Sequence, residues 1–194
     1  MTIYKTRDAA VERLTRIKAA RQQAYDGMQG IDDLISLEKE YKKNLALHLI
    51  GELPKFNPSK EFDAIEMMRK KRSIDMQAIE ALDVLNEEAT GTLAGLRARI
   101  KADEQSYETF ERAVRAGLDY SGELMQAAEK RGMSRARDDA KKSGDSRYSN
   151  LTGLRRNISA LTDIAAELGR AADVADLIKQ AGPVINLLVE PQGT

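Results

Sequence analysis

Apolar residues recur at steps of three, four or seven along Ile79, Leu82, Ala89, Leu93, Leu96, Ile100, Tyr107, Phe110 and Val114, and the register crosses Gly91 and Gly95 without a slip. Such spacing lines up side chains on one helix face. A hairpin inserted at the glycines would consume roughly two to five residues and reset the phase. The pattern therefore predicts one unbroken helix over residues 59–131, about 73 residues and roughly 110 Å long at 1.5 Å per residue. Helices of that length belong to coiled coils rather than to globular cores.

The flanking sequence is read by the same rule. Residues 1–53 carry a stripe at Ala10, Leu14, Ile17, Ala24, Met28, Ile31, Leu34, Ile35, Leu37, Tyr41, Leu45 and Leu49, which predicts a first long helix capped by Thr6. Gly27 and Gly30 interrupt its propensity but not its phase, so they mark a bend or a close contact. Residues 54–58, Pro-Lys-Phe-Asn-Pro, form a stiff corner, with Asn57 or Ser59 capping the long helix. Residues 132–149 hold Ser, Gly and charge, and read as a basic linker with a short helical turn. A final helix is expected over 150–182, ending at Gly182-Pro183, and residues 183–194 form an apolar tail expected to dock on its own or a neighbouring chain. The fold class is all-α: an elongated antiparallel helical bundle or coiled coil with one very long central helix. Two helices in cross-section cannot bury wide stripes, so self-association is expected to complete it.

Composition narrows the chemistry. The chain has 194 residues, no Cys and one His. That excludes a disulfide framework, a thiolate zinc site and a thiol nucleophile. His48 has Leu45 three residues before it, so no Glu-x-x-His metal motif exists, and it reads as a half-buried helix residue. No phosphate loop, calcium loop or nucleophile elbow is present. Adjacent acids such as Asp32-Asp33, Glu87-Glu88 and Asp138-Asp139 diverge by about 100° on a helix and do not converge on a substrate. The expectation is a protein that is not an enzyme and takes no cofactor or metal.

Lys plus Arg and Asp plus Glu number 31 each, but the charge is polarised. From Lys130 to Arg156 nine basic residues stand against three acids; from Asp75 to Glu111 nine acids stand against three bases. Arg135, Arg137, Lys141 and Lys142 are the candidate contacts to an anionic partner, either the acidic stretch of another copy or protein, or an anionic membrane. Arg69-Lys70-Lys71-Arg72 is a second basic spot, read as a solvated face. Leu93, Leu96, Ile100 and Phe110 are the candidate self-association residues. Gly91 and Gly95 have the small-xxx-small spacing of a tight helix crossing. Nucleic acid is not an expected partner, since only Tyr148 interleaves with the basic run.

With no apolar leader and no window near 18 apolar residues, a cytoplasmic protein is expected. The functional expectation is a non-enzymatic scaffold, adaptor or assembly subunit that binds itself and another protein. The alternative is a peripheral membrane binder, a curved rod of the BAR type by analogy of shape alone, or a helical pore-former.

Overall fold

The structure is a computed structural model that describes residues 2–28 and 31–188. It is an all-α helical bundle with no strand among the described residues. The helices are α1 (Ile3–Met28), α2 (Ile31–Leu49), α3 (Pro58–Arg131), α4 (Met133–Lys142), α5 (Ser146–Thr152), α6 (Leu154–Glu167) and α7 (Ala171–Leu188).

α3 runs unbroken for 74 residues, through both Gly91 and Gly95. Its start follows from Asn57, whose Oδ1 accepts the Lys60 N–H at 3.2 Å, with Pro58 in the first position, where a missing N–H costs nothing. Its end is Gly132 at φ 83°, a left-handed conformation that side-chain-bearing residues avoid. α2 ends in a Schellman arrangement on Gly51: the Gly51 N–H bonds to the His48 carbonyl at 3.0 Å and the Glu52 N–H to the Leu47 carbonyl at 2.9 Å.

The chain divides into two units. In the unit formed by residues 9–94, α3 offers a heptad seam of Ile65, Met68, Arg72, Asp75, Ile79, Leu82, Asn86, Ala89 and Leu93. Ile65, Ile79, Ala89 and Leu93 are buried, as are Ile17 of α1 and Leu34 of α2. Tyr41 packs between Phe56 and Phe62, and Arg21 of α1 meets Asp83 of α3 at 2.5 Å. His48 is a loop clasp. Its Nδ1 lies 2.9 Å from the Leu53 carbonyl, which accepts only if that nitrogen carries the proton, and the ring sits edge-on to Phe56.

The other unit comprises the chain up to Asp8 and from Gly95 onward. Its core joins Ile3, Ile100, Tyr107 and Val114 to Leu154, Leu161, Ala165 and Leu168 of α6 and its end, and to Val174, Leu177 and Ala181 of α7. A second cluster holds Tyr120 and Leu124 of α3, Ala136 and Ala140 of α4, and Leu151 of α5. Gly117 lets α3 and α5 meet: a Cβ there would lie 3.1 Å from the Asn150 carbonyl oxygen.

Several boundaries differ from the sequence expectation. α1 begins at Ile3, ahead of Thr6, so Thr6 is not its cap. Gly27 lies within α1, at a close contact with Asp75, while the bend expected at Gly30 lies outside the described residues. The span expected as one helix over 150–182 is divided into α5, α6 and α7. Gly153 separates the first two, and Gly169, at φ 71°, closes α6 with bonds from its own N–H to Ala166 O and from Arg170 N–H to Ala165 O. The phase of the apolar stripe hid these breaks because α6 and α7 each present the same spacing to a shared core. The stop expected at Gly182-Pro183 does not occur: α7 continues through Pro183 to Leu188. The residue before a proline resists helix largely through its Cβ, and Gly182 has none. Val184 and Ile185 of the expected tail then pack against the core, while the side chains of Leu187 and Leu188 and all of Val189 lie outside the described residues. The 132–149 stretch contains α4 because Ala136 and Ala140, four apart, bury one face; only Ser143, Gly144 and Asp145 separate α4 from α5.

Candidate interaction surface

The basic candidates all lie on α4. Arg135, Lys141 and Lys142 are exposed, and Arg137 is half-buried. Lys141 and Lys142 occupy the last turn of α4, where cations complement the negative helix end. That is a sufficient structural reason for two of the four. Nearby bases are engaged within the chain: Arg131 pairs with Asp139 at 3.0 Å, and Arg147 bonds to both Asp145 and Glu123. The Arg147 side chain and backbone N–H hold the Asp145 carboxyl below its ordinary value, and Asp145 caps α5.

The self-association candidates contribute to cores within the chain. Leu93 and Ile100 are buried, and Leu96 and Phe110 are half-buried against the core of α6 and α7. Sequence periodicity identifies an apolar face but not what covers it. Among the described residues no helix crosses α3 at Gly91 or Gly95, where a Cβ would meet nothing within 4 Å.

The exposed apolar surface is elsewhere. Among the described residues every exposed large hydrophobic side chain except Met125 lies between residues 9 and 94. Of those on α3, Met67, Ile74 and Leu85 fall on a second line, and Phe62, Met68, Met76 and Val84 fall off it. Met67, Lys71, Ile74, Ala78, Ala81 and Leu85 follow one another at steps of four, three, four, three and four, the spacing of a second heptad seam. Met67 is 73% and Ile74 64% exposed. The periodicity of residues 59–78 held this signal; it was obscured because the inward seam there contains Arg72 and Asp75 and looks polar.

Those polar positions are a second distinctive feature. Arg72, Asp75, Asn86 and Asp103 all occupy inward heptad positions of α3, and each has a buried atom without a hydrogen bond: Arg72 Nε, Asp75 Oδ2, Asn86 Oδ1 and Asp103 Oδ2. Polar groups at such positions fix register at a cost in stability. A groove of ≈ 480 Å³ opens beside Arg72, lined also by Leu34, Glu38, Arg69, Met76 and Glu80. Its charges are of both signs, and Arg69 is already bound to Glu38 and Glu66 at 2.9 and 2.6 Å.

No group of three His, Asp or Glu side chains among the described residues is placed to hold a metal ion. No described helix is long and apolar enough to cross a membrane. Comparison with known proteins gave no match among family models, curated proteins or solved structures.

Proposed function

We propose that this chain is a non-enzymatic helical assembly protein that works through protein–protein contacts, self-association among them, made by the unit of residues 9–94. One observation carries the reading: the exposed large apolar side chains are concentrated in that unit, while the other unit closes its own core. Large apolar side chains left exposed together in one unit of a charged helical protein suit a contact surface. The unit is two helices thick, which leaves a wide apolar helix without cover on its outer side. Sedimentation equilibrium tests the reading. A mass above the 21.5 kDa of one chain, reduced to that of one chain by Ile74→Asp with helicity kept, supports it. A single-chain mass at every attainable concentration overturns it.

A second reading has its own observation. Leu49 and Ile50, at the end of α2, are 75% and 68% exposed. Two adjacent apolar residues at a helix end, with Lys42, Lys43 and Lys55 close in sequence, suit a peripheral contact with an anionic lipid surface. Co-sedimentation with phosphatidylserine vesicles, lost in Leu49→Asp/Ile50→Asp, distinguishes it.

A further inference from the structure

The exposed seam of α3 has an occupant that its own sequence describes. The seam is Met67, Lys71, Ile74, Ala78, Ala81 and Leu85, apolar at every position but Lys71 and small at its centre. Its inward counterpart already faces α1 and α2, and on the outer line Met67 and Ile74 remain largely exposed, with Leu85 at 37% and Ala78 half-buried. A seam of heptad spacing is complementary to another helix. The charge along α3 states which helix and in which direction.

Arg69, Lys70, Lys71 and Arg72 are four consecutive bases. Over the following residues, 75–88, the charged positions are Asp75, Glu80, Asp83, Glu87 and Glu88, with no base among them. Two copies aligned in parallel would set the four bases against one another, and likewise the acids. Two copies aligned antiparallel about a twofold axis near residue 76 reverse this. Met67 then faces the second copy's Leu85, Ile74 faces its Ala78, and Lys71 lies over its Ala81. Lys70 lies level with the second copy's Leu82, between its Glu80 and Glu87. Among the described residues Lys70, Lys71, Glu80, Glu87 and Glu88 form no ion pair, which leaves these charges to a partner. Like charges brought together disfavour the wrong partner, and opposite ones fix the register. The small residues Ala78 and Ala81 at the centre permit close approach of the two helices.

We propose that two copies of this chain associate through the 67–85 seam of α3, antiparallel and about a twofold axis near residue 76. The arrangement is isologous: each copy presents the same patch, and the contact closes on itself. It rests on the assembly reading and adds to it the residues, the direction and the register.

Because the chain has no cysteine, single-cysteine variants of the full protein report the register directly. Met67→Cys and Leu85→Cys proteins are mixed and mildly oxidised. The mixture should give a 67–85 disulfide at least about tenfold faster than either variant alone, because a disulfide needs Cα atoms within about 7 Å and two copies of residue 67 would lie some 27 Å apart. A spin label at Lys60→Cys should report a separation of about 48 Å across 32 residues of offset, not the roughly 10 Å of a parallel pair. Charge reversal is the second arm. Lys70→Glu/Lys71→Glu and Glu80→Lys/Glu87→Lys should each weaken association, and a mixture of the two variants should restore it. Preferred 67–67 cross-linking, or a short Lys60 distance, overturns the antiparallel register. An oligomer by mass that forms none of these cross-links overturns the seam and leaves the assembly reading standing. A single-chain mass removes both.

Discussion

Tyr4 donates its hydroxyl proton to Glu104 Oε1 at 2.6 Å, joining residues one hundred positions apart in sequence. The bond ties the first turn of α1 to the middle of α3. Beside it Ile3 enters the core and Thr2 lies within 3.0 Å of where a Cβ on Gly169 would stand. The start of α1 is thus part of the folded unit rather than a loose end.

Tyr4→Phe should lower stability by about 1 kcal/mol, the usual net worth of such a bond, with the helical content unchanged. The bond also has a pH signature. The Glu104 carboxylate that accepts the proton is the main reason the Tyr4 pKa is raised above 10.0, with burial next. A group whose folded pKa is raised gives stability that is complete below the unfolded value and lost as pH rises through the folded one. Thermal melts should therefore show an alkaline decline beginning near pH 10, part of which disappears in Tyr4→Phe. Equal declines in both proteins would show that Tyr4 contributes nothing to it.

The glycines of α3 should divide by substitution. A Cβ at Gly117 would lie 3.1 and 3.2 Å from the Asn150 backbone and 3.4 Å from Leu151 Cα. Backbone cannot give way cheaply, so Gly117→Ala should destabilise by about 1–3 kcal/mol, the cost of overpacking. Gly91 and Gly95 have open space, and Gly91→Ala and Gly95→Ala should each stabilise by up to about 1 kcal/mol through helix propensity. Urea titration of the three variants checks both signs.

That division shows where sequence reading reaches its limit. The length of α3 was legible, because a heptad phase kept from Ile79 to Val114 leaves no room for a turn. The identity of the helix that covers each face was not. Leu96 and Phe110 look like an interface in sequence, yet both pack against the core that α3 shares with α6 and α7. Met67 and Ile74 look scattered, yet they head an exposed seam. Gly91 and Gly117 are the same residue type in the same helix, and only the approach of α5 separates them. Pro183 read as a stop because the rule for proline is local, while Val184 and Ile185 are held by distant contacts.

Asp145 should matter only above acid pH. Its carboxylate accepts hydrogen bonds from the Arg147 side chain at 2.9 Å and backbone N–H at 2.8 Å, and these lower its pKa from 3.8. A lowered folded pKa means that the contribution is present above the unfolded value and lost as pH falls through the folded one. Carbon-13 titration of the carboxyl should give a midpoint below 3.8. Arg147→Ala should return it towards the ordinary value. An unchanged midpoint in that variant would assign the shift to something other than the Arg147 side chain.

Pro183 gives the last test. It lies inside α7 and is exposed. Proline there removes one backbone hydrogen bond, crowds the carbonyl four residues earlier and is about 3 kcal/mol worse than alanine in a free helix interior. Gly182 relieves part of the crowding, and proline offsets roughly 0.4–1 kcal/mol by stiffening the unfolded chain. Pro183→Ala should accordingly stabilise by about 1–2 kcal/mol, less than the full propensity difference. At this chain length that corresponds to a rise in Tm of roughly 2–8 °C. Slower amide exchange at Val184 and Ile185 should accompany it, since both already pack on the core and gain a continuous ladder behind them. A fall in Tm would mean that the proline shapes a bend in α7 that this packing requires.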